Sequence, residues 1–147
     1  MMISTKGRYA LRVMTDLAQH GTGDFIPLKE ISARQGISLK YLESIMTILS
    51  KGHMVRSASG KGGGYCLIKS PEEYRVGDIL RLTEGDLAPV ACLAPDTKKC
   101  DLTNECYTLP FWKGLGDAIN EYLDGHTLAD LVSGSSMQRC TASHDNN

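Results

Sequence analysis

Hydrophobic positions divide the chain into a patterned first half, an unpatterned middle and a short patterned stretch near the end. Over residues 7–20, Tyr9, Ala10, Val13, Met14, Leu17 and Ala18 recur at helical spacing, and Gly21 and Gly23 stop that helix. Pro27 opens a short second helix through Leu28 and Ile31, which ends at Gly36, a residue suited to the left-handed turn that closes a helix. Ser38 is a good N-cap for a third helix of about twelve residues. Its apolar positions Leu42, Ile45, Met46 and Leu49 share one face, while Lys40, Glu43, Ser44 and Thr47 repeat the same spacing with polar side chains. Two short helices joined through Gly36-Ile37-Ser38 predict a helix-turn-helix.

His53–Ala58 and Tyr65–Lys69 are short and β-compatible, and Ser59-Gly60-Lys61-Gly62-Gly63-Gly64 lies between them. A glycine-rich tip between two strands predicts a hairpin, the wing of a winged helix. Beyond Pro71, Val76, Ile79 and Leu80 predict a fourth helix that ends near Leu82. From Glu84 to Pro110 periodicity vanishes, and loops longer than about 12–15 residues are usually functional or disordered. Phe111, Trp112, Leu115, Ile119, Tyr122 and Leu123 then form a helical stripe, followed by Leu128, Leu131 and Val132 in a short terminal helix. From Ser133 onward the chain is small and polar, which predicts disorder. The expected organisation is a winged helix-turn-helix over 1–83, a cysteine-containing loop over 84–110, a long helix with a short terminal helix over 111–132, and a disordered tail over 133–147. The fold class is mainly α with a small β-hairpin.

At 147 residues the chain can hold one such domain plus an associating helix. No run approaches the roughly 18 apolar residues of a membrane span, and Met1–Leu11 lacks the apolar core of a signal peptide, so a cytoplasmic protein is expected. The net charge of −1 decides nothing, but its distribution does: residues 1–69 hold ten Lys/Arg against four Asp/Glu, and residues 70–147 hold six against thirteen. A basic half suggests a polyanionic partner for that half. The polar stripe of the third helix suits a DNA major groove, with Lys40 reaching guanine or phosphate and Glu43 accepting from a cytosine amino group. In the wing, Arg56, Lys61 and the backbone of Gly62, Gly63 and Gly64 suit phosphate or minor-groove contacts. The glycine run lacks the spacing of a nucleotide phosphate loop. No nucleophile–base pair or pair of catalytic acids is evident, so an enzyme is not expected.

Of five cysteines, Cys66, Cys92, Cys100, Cys106 and Cys140, three fall in the unpatterned loop, with seven residues and then five between them. An odd number in a reducing compartment argues against a disulfide framework. Thiolates suit iron–sulfur clusters and zinc, yet both favour four protein ligands. The fourth would come from Asp96, Asp101, Glu105, the first helix, a remote thiol or a partner molecule. An open fourth position would make a cluster labile, which suits a sensor better than an electron carrier. Cys66 and Cys140 read as bystanders, and His20, His53, His126 and His144 lack ligand spacing to the loop.

The residues taken together resemble the bacterial winged-helix transcription regulators of the IscR/NsrR/RirA/CymR family. The resemblance spans roughly residues 1–132 and rests on Ser4-Thr5-Lys6-Gly7-Arg8-Tyr9-Ala10, ISARQGISLKYLE (31–43), GKGGGY (60–65), the three-cysteine loop and TLADLV (127–132). It implies a homodimer on near-palindromic promoter DNA, acting as repressor or activator. Lys6, Arg8, Tyr9, Ser38 and Tyr41 would join the DNA contacts, and the helix from Phe111 to Leu123 would dimerise. It also implies an iron–sulfur cluster, 2Fe-2S or 4Fe-4S, on Cys92, Cys100 and Cys106. The chain departs from the IscR-like pattern, in which a histidine follows the last cysteine by three residues, because Leu109 stands there. It departs from the NsrR-like pattern, in which an acid lies near the start of the first helix, because Arg8 stands there. The cysteine spacing is closer to RirA-like members. Pro89-Val90 and the N-terminal half are similar to CymR-like members, which need no cluster and work with a metabolic enzyme as partner. The alternative is therefore a cluster-free regulator of sulfur metabolism controlled by a protein partner or thiol oxidation. A small iron–sulfur electron-transfer protein is the reading from another class.

Overall fold

The computed structural model describes residues 2–21 and 23–133, so the expected disordered tail, apart from Ser133, lies outside the described residues. Its elements run α1 (Thr5–His20), α2 (Leu28–Gln35), α3 (Leu39–Lys51), β1 (Val55–Ala58), β2 (Gly64–Leu67), α4 (Val76–Glu84), α5 (Leu109–Asp124) and α6 (Leu128–Val132), with short 3₁₀ turns at Pro71–Glu73 and Ala91–Leu93. This is the expected mainly helical chain with one antiparallel hairpin.

Helix α1 begins two residues before the hydrophobic pattern suggests, because Ser4 caps it: its Oγ accepts from the Gly7 amide at 3.2 Å. The same serine donates its amide (3.1 Å) and hydroxyl (2.5 Å) to the carboxylate of Glu84, the last residue of α4. Gly36 closes α2 with φ 65°, and Ser38 caps α3 by accepting from the Tyr41 amide at 3.2 Å. The core collects the predicted stripes: Val13, Met14 and Leu17 of α1, Ile31 of α2, and Leu42, Ile45, Met46 and Leu49 of α3, with Ile79 and Leu128. A second cluster of Val76, Leu80 and Leu87 packs against Ile3, Leu11, Leu123 and Leu131.

One charged residue lies inside that core. Asp16 is fully buried on α1. Arg34 of α2 grips its carboxylate with two hydrogen bonds, at 3.0 and 2.8 Å, and the Gln35 amide adds a third at 2.8 Å. Arg12 in turn holds the Gln35 side chain at 3.1 Å and its carbonyl. Burial pushes the Asp16 carboxyl up, but the Arg34 and Gln35 bonds and the Arg34 charge outweigh it and hold the group below the ordinary carboxylate value. The network fixes α2 on α1, and through the turn it fixes the angle of α3.

The hairpin pairs Val55 with Leu67, Arg56 with Cys66, Ser57 with Tyr65 and Ala58 with Gly64. Ile26, before α2, extends it by a bridge to Tyr65 with hydrogen bonds of 2.8 and 2.9 Å. Gly64 (φ 145°) is where this bridge comes closest, and a Cβ there would run into the Ile26 carbonyl. Buried Tyr74 clasps the wing's base: its hydroxyl accepts from the Ile68 and Lys69 amides at 2.9 and 3.0 Å and donates to the Met54 carbonyl at 2.7 Å. The wing is thus held at both ends of its strands and leaves only its tip free.

Candidate DNA-reading face and cysteine loop

Packing of Leu42, Ile45, Met46 and Leu49 into the core turns Lys40, Glu43, Ser44 and Thr47 outward, and all four are exposed. The Ser44 hydroxyl donates to the Tyr41 carbonyl at 2.7 Å and the Thr47 hydroxyl to the Glu43 carbonyl at 2.9 Å, so both oxygens present lone pairs to solvent. A cleft beside this helix is walled by Leu39 and Glu43, by Lys29 of α2, and by the wing residues Ser57 to Gly60, Gly63 and Gly64. Lys61 and Gly62 are exposed at the wing tip, and Gly62 (φ 80°) makes the turn there. Gly63 donates to the Gly60 carbonyl at 3.0 Å. Arg56 is exposed on β1, with its Nε 3.3 Å from the buried Cys66 sulfur.

The opposite flank of α3 is built from α1. Tyr9 meets Tyr41 edge to face, with ring centroids 5.6 Å apart, and the Arg12 guanidinium lies 5.2 Å above the Tyr9 ring. These rings, Ser38 and Thr5 wall a second hollow beside the N-terminus of α3. Exposed Arg8 donates to the Thr5 hydroxyl at 3.1 Å, and half-buried Lys6 shares that first stretch of α1. The face therefore has a polar helix at its centre, a glycine-tipped wing on one side and an aromatic and basic wall on the other. Sequence reasoning missed the parts that position it, Asp16, Arg34, Gln35 and Tyr74. The only available signal was an acid at position 16 inside the apolar stripe of α1.

Helix α5 starts at Leu109, with Pro110 in its first turn, two residues before the pattern restarts. It buries no residue at all, although it is amphipathic. The structure splits its predicted stripe in two. Trp112, Gly116, Ile119 and Leu123 are half-buried toward the body of the protein, where Gly116 lies beside Pro89. Phe111, Leu115, Ala118 and Tyr122 repeat at spacings of four, three and four, and all are exposed. At the helix's end, Arg81 of α4 grips Asp124 (2.8 and 3.0 Å) and Asn120 (3.0 Å).

The cysteine loop has no core of its own: after Leu87, no residue is buried until Leu128. Its hydrogen bonds are local, such as those from the Thr97 hydroxyl to the carbonyls of Ala91 (2.7 Å) and Ala94 (2.8 Å). Cys92 and Cys100 are exposed, Cys106 is half-buried, and none is in a disulfide. Cys106 sits just before α5 with its sulfur 3.3 Å from the Thr108 hydroxyl, and that bond, with the amides of Thr108 and Leu109, holds its thiol below the ordinary value. Cys66 is buried in the wing, and Cys140 lies outside the described residues. Among the described residues, no three His, Cys, Asp or Glu side chains converge to hold a metal. The three thiols fit an iron–sulfur cluster by their chemistry but not by their arrangement, and Leu109 offers no fourth donor.

No helix among the described residues is long and apolar enough to cross a membrane. The profile of the Rrf2 family, described as iron-dependent transcriptional regulator, matches residues 3–134. The chain is 36% identical over 146 residues to the HTH-type transcriptional regulator IscR of Sodalis glossinidius (strain morsitans), covering 99% of this chain and 87% of that protein. Among solved structures, CymR (YrzC), the global cysteine regulator of B. subtilis, superposes with a TM-score of 0.75 at 36% identity, covering 92% of this chain and 98% of that one. T. potens IscR superposes with a TM-score of 0.71 at 36% identity, covering 92% and 88%. A winged-helix fold with an exposed polar stripe on its third helix, found in a chain of this similarity, places the protein in the Rrf2 family of transcriptional regulators.

Proposed function

We propose that the protein is a homodimeric regulator that binds near-palindromic promoter DNA in the cytoplasm, has no enzymatic activity, and receives its signal at the cysteine loop. The observation that carries the DNA-binding reading is the exposed polar stripe of α3 held between the wing and the Tyr9–Tyr41 wall. Lys40, Glu43, Ser44 and Thr47 read base edges. Lys6, Arg8, Tyr9, Ser38, Tyr41, Arg56, Lys61, Gly62 and Gly63 hold the backbone. Lys61→Ala is expected to weaken binding to all duplexes alike and to flatten the plot of log affinity against log salt by about one unit. Titrations of one duplex at several salt concentrations read this, and an unchanged slope removes the wing tip from the contact.

At the loop, Cys92, Cys100 and Cys106 would ligate an iron–sulfur cluster, and the family's description as iron-dependent supports this reading. When bound, the cluster supplies a group that iron supply, oxygen or nitric oxide can alter. The chain's own part is three thiolates on a segment with no core to resist rearrangement. Protein purified without oxygen is expected to hold matched iron and acid-labile sulfide with visible absorption, and Cys100→Ala to hold neither. If both remain colourless after anaerobic reconstitution, the cluster is excluded. The second reading, thiol oxidation or a protein partner acting on the same loop, is favoured by the separate placement of the cysteines and by the lowered Cys106 thiol.

A further inference from the structure

Across α1, α2, α3 and both wing strands, the exposed surface holds one large hydrophobic side chain, Leu39, which is 39% exposed. It is the first residue of α3, and the N-terminal residues of a reading helix are those that reach base edges. Leu39 and Glu43 lie one helical turn apart on the same side and both face the cleft between α3 and the wing. The core does not need Leu39, because Leu42, Ile45, Met46 and Leu49 carry the packing of α3. The only apolar feature a major groove offers is the 5-methyl group of thymine, and apolar side chains are what recognise it.

We propose that Leu39 is a specificity residue that packs on a thymine methyl in each half-site, next to the base that Glu43 reads. The inference rests on the DNA-binding reading above. A polar side chain in its place would make a phosphate or amide contact; leucine can contribute only the exclusion of water from a methyl.

The test uses a duplex selected by the wild-type protein from a randomised library. Each thymine is then replaced in turn by deoxyuridine, which keeps the base pair and removes only the methyl. Wild type is expected to lose about fourfold in affinity per half-site at one thymine position, the factor that burying one methyl-sized group gives. Leu39→Ala should bind the parent duplex more weakly and show no loss at that position, while its non-specific binding and its thermal melting stay as in wild type. If no thymine shows a loss in wild type, or if Leu39→Ala keeps the loss, Leu39 is not the methyl reader although DNA binding stands. If wild type selects no duplex at all, the DNA-binding reading fails, and the inference fails with it.

Discussion

Replacing Arg34 by alanine is expected to lower stability by about 3 kcal/mol or more, because it strands a buried carboxylate. The melting temperature should fall by roughly 10 °C for a chain of this size. The asymmetry of the pair makes this the sensitive side. The Arg34 side chain is 31% exposed and can be solvated, whereas Asp16 has no exposure and would keep only the Gln35 amide. The pH dependence has a distinct sign. In wild type the Asp16 carboxyl is held below its unfolded value, so its contribution is full above the unfolded value and is lost as pH falls through the lower, folded one. Without Arg34, desolvation dominates and the folded value rises above the unfolded one. The penalty is then full at pH 7 and shrinks as pH falls through the raised value. Melting curves at pH 7 and pH 5 should therefore show the variant closing on wild type with acidification. A further Asp16→Asn change should restore part of the loss at pH 7. A gap that is constant with pH would mean that the carboxylate is not what the variant exposes.

That network also marks where sequence patterns reach their limit. Helices α1 to α4 follow from residues that act locally: Ser38 caps, Gly36 ends a helix, and apolar side chains recur every third or fourth position. The wing follows from its glycines. Asp16, in contrast, reads on paper as one acid in a basic half, and its role depends on Arg34 and Gln35, which α2 brings back against α1. Ser4 gives the same lesson from a greater distance. Its cap is completed by Glu84, and no local pattern pairs residues eighty positions apart. Pro110 closes the stretch expected to be a loop, yet proline is favoured in a first helical turn, and α5 begins around it.

The site divides along the same line. The polar stripe of α3 was legible because the residues that face solvent are those left over once the core face is chosen. The cysteine loop was legible only as chemistry. Three thiols in an irregular stretch suggest a ligand set, but without periodicity or a buried anchor beyond Leu87 nothing in the sequence dictates where each thiol lies. The described structure does not bring three of them together. Any convergence of these thiols has to come from a bound group or from a second subunit, and α5 is the element through which a second subunit would meet the loop.

Leu115→Glu is expected to leave the subunit folded, disrupt the proposed dimer, and weaken binding to a two-half-site duplex by roughly 100-fold or more, the range over which joint engagement of two sites adds affinity. Leu115 is 40% exposed in the subunit, so a charge there costs little before assembly. It sits midway along Phe111, Leu115, Ala118 and Tyr122, whose four-three-four spacing is the seam along which two helices pack knobs into holes. A long helix with no fully buried residue, whose outer face keeps Phe111 66% and Tyr122 65% exposed, leaves an apolar strip that association would cover. Leu123→Glu is the control. Its side chain packs on Val76 and Leu80 within the subunit, so it should lower the melting temperature. Light scattering across a concentration series gives the assembly state, and duplexes with one or two half-sites separate avidity from contact. Leu115→Glu should bind a single half-site as wild type does. If the variant remains dimeric at wild-type concentrations, the outer stripe of α5 is not the interface, and the link from cysteine loop to DNA would have to run through Glu84 and Ser4 inside one subunit.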